Sequence, residues 1–276
     1  MEEVQGLITA IEGLKGSPSI FKDYVFPVIA PLASAGFGAW FGYQAAGRRQ
    51  GTIDEVKRLH ILNRWVLEAE GCFRNLESIK LNYSPGIGNN PTRGISFGPQ
   101  ISDYLRANTD VSDLVFITKT LDRDIKKLDQ TKLAYNNLPR IRQIFHNYNQ
   151  VLTMWEKRNE LLIPMTEKLR PHTRAGLLEL SLEELFQVIP REEVALICHL
   201  TETALQYTDD GLIEMLGFMS EFPDLVKDTI DAKVRKNEGG VMSVLNDPKV
   251  TGMIVKRIPP VDEEAAIQVF GREFDV

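Results

Sequence analysis

The chain has 276 residues, 43% of them hydrophobic and 25% charged, with a formal net charge of −6 at pH 7. That supplies one sizeable core, and the acidic balance removes any general electrostatic drive towards nucleic acid, which needs clustered Lys and Arg, so no nucleic-acid partner is expected. Only Cys72 and Cys198 are present, far apart, which excludes a disulfide framework and suits a reducing compartment.

Residues 1–23 form a short leading segment in which Lys15 and Lys22 are set against Glu2, Glu3, Glu12 and Asp23. From Tyr24 to Gly47 there is no charged residue, and Arg48 and Arg49 close the run. A helix of this length reaches roughly 36 Å, against a hydrocarbon core of about 30 Å, so residues 24–47 are expected to form one transmembrane helix. Phe21, Tyr24 and Phe26 at one end, and Trp40, Phe41 and Tyr43 at the other, suit the two headgroup layers. Arg48, Arg49, Lys57 and Arg58 place the positive excess after the span, which predicts the N-terminus outside, residues 48–276 as a cytoplasmic domain, and these four cations at the lipid headgroups. Ser34, Gly38, Gly42 and Ala46 recur every four positions, a small-residue face that favours self-association of spans. Pro27 and Pro31 favour a kink near the outer end. Ala33-Ser34-Ala35 has the pattern of a signal-peptidase site, but the apolar run continues past it. The competing reading is a buried core helix or hairpin of a soluble protein.

Beyond Thr52, the residues Leu59, Leu62, Val66, Ala69, Phe73 and Leu76 alternate three and four apart up to Lys80 and Tyr83. This heptad-like seam predicts one long helix, continuous with the span, acting as a coiled-coil stalk and favouring oligomers. A Gly/Pro/Asn-rich loop follows at residues 84–109, expected at the membrane-distal end as a flexible or partner-binding segment, or as a plain connection. Its Gly86-Ile87-Gly88 lacks the preceding strand and the Lys-Ser/Thr ending of a phosphate cradle.

A helix is predicted from Ser112 to Asn137, presenting Leu114, Ile117, Leu121, Ile125, Leu128 and Tyr135. A second begins at Pro139, shows Ile141, Ile144, Tyr148, Val151, Trp155 and Leu162, and is expected to stop at Pro164, the two forming an antiparallel hairpin. Ser181 with Glu184 reads as a capping box. Pro190 opens a helix carrying Val194, Ile197, Leu200, Thr201 and Ala204, and Asp209 or Asp210 is expected to cap a further one with Leu212, Met215, Leu216 and Met219. The tail reads as a short helix near Val241 to Leu245, an extended piece from Ile254 to Ile258, and an acidic turn after Pro259-Pro260. The expected fold class is all-α: one N-terminal transmembrane helix, then a cytoplasmic bundle of long helices with a shorter helical lobe.

The chemistry-bearing residues are sparse. His60, His146, His172 and His199 include no pair at metal-ligating helical spacing, and no nucleophile or cofactor motif is present, so neither metal nor cofactor is expected. The acidic pairs at 54–55, 183–184, 192–193, 209–210 and 263–264 mostly fall at predicted helix starts, with a divalent-cation cluster as the alternative. Arg140 and His146, separated by five residues, resemble the Arg-x5-His motif of HEPN ribonucleases. The resemblance implies catalytic roles for Arg140 and His146, with His moving a proton and Arg holding phosphate. The polar residue that commonly follows that arginine is here Ile141.

The reading that results is a single-span membrane protein, more a non-enzyme than an enzyme, whose cytoplasmic helical domain mediates oligomeric assembly or binding of a cytoplasmic protein partner. A membrane-tethered HEPN-like ribonuclease and a soluble helical interaction protein whose apolar segment is buried in a partner are the alternatives. The layout is similar to that of bacterial membrane effectors of phage-defence loci, a similarity of architecture alone.

Overall fold

The computed structural model describes residues 26–84, 87–96, 98–123, 135–174, 177–244 and 248–271. The leading segment 1–23, with Tyr24, lies outside them. The chain divides into two units, Met1–Val56 and Lys57–Val276, nine residues beyond the boundary expected at 47/48. Helix α1, Phe26–Tyr83, is 58 residues long.

In the first unit the described side chains at Pro31 and from Ser34 to Asp54 are all exposed. Ser34 Oγ donates back to the Pro31 carbonyl at 2.9 Å, a local use of its hydroxyl beside the proline's missing donor. Among the described residues no helix is long and apolar enough to cross a membrane. Pro31, Gln44 and the glycines at 36, 38, 42 and 47 dilute the hydropathy of a run that has length and lacks charge.

In the second unit α1 joins α3, Leu138–Leu169, and α5, Arg191–Val226, in an all-helical body. Residues 57–83, read from sequence as a stalk, are its core. Leu59, Leu62, Val66, Ala69, Phe73, Leu76, Lys80 and Tyr83 are all buried, so the heptad seam is used within the chain and is closed to a coiled-coil partner. Trp65 meets Phe145 edge-on at 5.0 Å, Asn75 donates to Tyr148 Oη at 2.8 Å, and Tyr83 stacks on Trp155 at 5.6 Å. These contacts climb both helices together, so α1 and α3 run parallel. Phe145 against Phe218, Trp155 Nε1 to Thr208 Oγ1 at 3.0 Å, and Arg158 Nε to Thr201 Oγ1 at 2.9 Å run in opposite order, so α5 is antiparallel to both.

Parallel neighbours need a connection that returns the length of the bundle, and this is why residues 84–109 form a long loop. A short helix α2, Arg93–Ser96, starts it. Two asparagines of α3 then hold the returning chain. Asn159 accepts from Gln100 N–H at 3.0 Å and donates to Gln100 C=O at 2.6 Å, and Asn149 does the same for Ala107 at 2.8 and 3.0 Å. The loop is laid along α3, not held as a free segment at one end. It delivers Asp113 to Arg64 and to Trp65 Nε1, and a 3-10 segment follows at Ser112–Arg123, where an α-helix to Asn137 was expected. Leu114 and Ile117 are buried as their spacing implied, whereas Ile125 and Leu128, and the expected hairpin built on them, lie outside the described residues.

Two predicted helix ends are absent. Pro164 lies inside α3, which continues to Leu169. An interior proline costs about 3 kcal/mol, but Met165 and Leu169 beyond it are buried, and two such side chains recover roughly 3–6 kcal/mol. Asp209 and Asp210 do not cap a helix; α5 passes through them for 36 residues, and Asp209 is buried on the face shared with Leu205 and Leu212.

The shorter lobe packs Leu162, Met165 and Leu169 against α4, Leu182–Val188, the first turns of α5, and Ala266 and Phe270 of α8, Glu263–Phe270. The Ser181–Glu184 capping box is present in full. Around these lie a two-residue antiparallel ladder, β1 Thr173–Arg174 with β2 Leu177–Leu178, and helices α6, Ala232–Glu238, and α7, Pro248–Ile254. Residues 241–244 are not helical, and the expected acidic turn after Pro259-Pro260 is helix α8, capped by Asp262.

Candidate functional site

Among the described residues, the helix surface of the first unit is exposed from Ser34 to Asp54. Its large side chains stand in the open: Trp40 is 53% exposed and Tyr43 81%, with Phe37 and Phe41 similarly uncovered. Trp40 and Phe41 contact each other edge-on at 5.2 Å. An added Cβ at Gly36, Gly38, Gly42, Gly47 or Gly51 would meet nothing within 4 Å, so the Ser34, Gly38, Gly42, Ala46 face is open along its length. Isolated apolar residues on a surface need no explanation, but a contiguous aromatic band does.

The four cations assigned to headgroups separate in the structure. Arg58 is half-buried and its guanidinium lies over the Phe116 ring at 5.5 Å, and Lys57, though exposed, has an intrachain partner. Arg48 and Arg49 are exposed and engage no acidic group among the described residues.

Arg140 and His146 lie on α3, beside a groove of about 580 Å³ between α3 and α5. His146, Gln150, Tyr207, Asp210, Glu214 and Arg257 line it. His146 is exposed, with Gln150 Nε2 at 3.4 Å from its ring nitrogen, and Arg140 Nη2 donates to Glu214 Oε1 at 2.5 Å. No hydrogen bond or ion pair joins the two. The arginine that would hold phosphate is already neutralised by Glu214, and among the described residues the histidine's hydrogen-bond partner is Gln150, not an orienting carboxylate. Among the described residues no group of His, Cys, Asp or Glu could hold a metal ion. The acidic pairs at 183–184 and 192–193 occupy first helical turns, as expected.

Charges whose partners the sequence does not indicate are buried in the body. Lys80 Nζ donates to Asp209 Oδ1 at 2.5 Å and to the Lys256 carbonyl at 2.6 Å, and Asp209 Oδ2 accepts from Ile258 N–H at 2.7 Å. Arg93 pairs with Glu202 and donates to the Gly88 and Pro259 carbonyls. Arg158, fully buried, donates to Thr201 and to the Gly94 and Gly98 carbonyls, and burial pulls its guanidinium down to about 10. These groups tie loop and tail to the bundle, which is a structural role. Burial also pushes the Cys198 thiol up to about 12 and raises that of Cys72, which makes both inert. Asn149 and Asn159, poor helix formers inside the helix expected from Pro139 to Pro164, are the sequence signal for the two loop-holding roles.

No protein-family model matches this chain, and no curated protein or solved structure matches it significantly.

Proposed function

We propose that this chain is a membrane-anchored assembly protein: the uncharged helix takes its cover from a lipid bilayer as a single crossing, and the helical body, on the cytoplasmic side, binds a partner. The observation that carries the reading is the open aromatic band on a helix without charge from Phe26 to Gly47. Exposed Trp, Phe and Tyr on water-facing helix are unfavourable, whereas the bilayer interface accommodates them. Close packing of copies through Ser34, Gly38, Gly42 and Ala46 is the proposed mode of assembly.

Trp40 provides the assay, because Trp65 and Trp155 are 1% and 0% exposed and insensitive to surroundings. The full chain is expected to float with phosphatidylcholine vesicles and to shift its tryptophan emission to the blue. A chain that stays at the bottom of the gradient with unchanged emission refutes the reading. The same open surface makes Gly38→Leu/Gly42→Leu a clean probe of assembly, since an added Cβ at either position meets nothing within 4 Å. The variant should keep its thermal stability and lose its oligomer; an unchanged oligomer in detergent counts against the small-residue face.

The modest hydropathy of the helix favours a second reading, in which protein, either further copies or a partner, supplies the cover. It predicts a defined oligomer or complex without detergent and no vesicle flotation.

A further inference from the structure

Resting on that reading, we infer that the membrane contact is selective for anionic lipid, and that Arg48 and Arg49 make it. From Arg48 to Arg58 the chain carries six charged residues: Arg48, Arg49, Asp54, Glu55, Lys57 and Arg58. Asp54 accepts from Gln50 Nε2 at 3.0 Å, Arg58 is committed to Phe116, and Glu55 and Lys57 have intrachain interactions of their own. Only the first two arginines are left with exposed guanidiniums and no counter-charge among the described residues.

Their position adds the second argument. Along a helix, Arg48 lies about 8 Å beyond Tyr43 and about 12 Å beyond Trp40. Interfacial aromatic rings lie at the depth of the headgroup boundary, so guanidiniums one to two turns further out meet the phosphate layer. A planar guanidinium presents its donors to phosphate in pairs, and it stays charged at any physiological pH. On the other side of the aromatic band no charge occurs back to Phe26, so no carboxylate on that side opposes an anionic surface.

The experiment uses the full chain and Trp40 emission on vesicles of phosphatidylcholine alone and of phosphatidylcholine with about one third phosphatidylserine. Two cations at the surface should tighten partitioning onto the anionic vesicles by roughly 30-fold at low salt, shrinking as the Debye length shortens. Arg48→Gln/Arg49→Gln should abolish most of that preference while retaining the blue shift on neutral vesicles. Equal partitioning of the wild-type chain, or a preference that survives the double substitution, overturns the inference and leaves the membrane reading standing. A preference erased by millimolar inorganic phosphate at constant ionic strength also overturns it, because the arginines would then be a free-phosphate site. No shift on either vesicle defeats the membrane reading itself.

Discussion

Asp209→Ala tests the core of the body. The carboxylate lies in the middle of α5 with its side chain 3% exposed, and Lys80 opposite is 2% exposed. Its removal takes away the 2.5 Å bond from Lys80 and the 2.7 Å bond from Ile258 N–H, and leaves an ammonium buried with the Lys256 carbonyl as its remaining acceptor. Breaking a buried pair by removing one member costs about 3–5 kcal/mol, most of it the cost of the stranded charge. For a body of this size each kcal/mol shifts Tm by about 2–4 °C, which gives a loss of roughly 6–20 °C. Thermal and urea unfolding of the full chain, followed by circular dichroism, measure it. Lys80→Met/Asp209→Leu should recover about half of the loss, because no charge is then stranded, although the tail's Lys256 C=O and Ile258 N–H lose their partners. A loss below about 1 kcal/mol in the single variant, or a double variant no better than it, would refute the account of the pair.

Asn149→Ala should cost about 1–2 kcal/mol and speed hydrogen exchange at Ala107 N–H while sparing Gln100, which Asn159 holds; equal protection at both would show that the loop does not depend on the asparagines. Gly94→Ala places a Cβ 2.7 Å from Cys198 Cα, a backbone atom that cannot rotate aside, so α2 must move and about 1–3 kcal/mol should be lost. Wild-type stability is the wrong outcome there. In alkali, the buried thiols of Cys72 and Cys198 keep their protons in the folded chain beyond the ordinary value of 9.0, with Cys198 up to about 12. Their contribution is complete below pH 9 and is lost as pH rises from 9 towards 12, because the unfolded chain ionises first. Cys72→Ala/Cys198→Ala should flatten the fall in urea midpoint between pH 9 and 10 relative to its own value at pH 7; an unchanged slope would rule the thiols out.

Much of the helical body was legible because it is local. The spacing of Leu59, Leu62, Val66, Ala69, Phe73 and Leu76 named the buried face of α1 residue by residue, and Ser181 with Glu184 named a helix start. Periodicity says which face is buried, but not what buries it. The same seam serves a coiled coil or a core, and the parallel course of α1 and α3, which makes it a core, depends on side chains such as Trp65 and Phe145 that lie 80 positions apart.

Helix ends were misread where tertiary contacts outweighed local chemistry. Pro164 stops a helix only if nothing beyond it gains from continuing, and Met165 and Leu169 gain the lobe's core. Asp209 caps a helix only if its carboxylate has no better donor, and Lys80, brought from 129 residues away, is one. Of the candidate site residues, the sequence by itself determined the uncharged run and the paired arginines at its edge, because absence of charge is a property of composition. Only the tertiary structure decided that Lys57 and Arg58 have partners in their own chain, that Arg140 is neutralised by Glu214, and that Arg48 and Arg49 remain open. Charge partners are set by proximity in space, which an extended chain does not display.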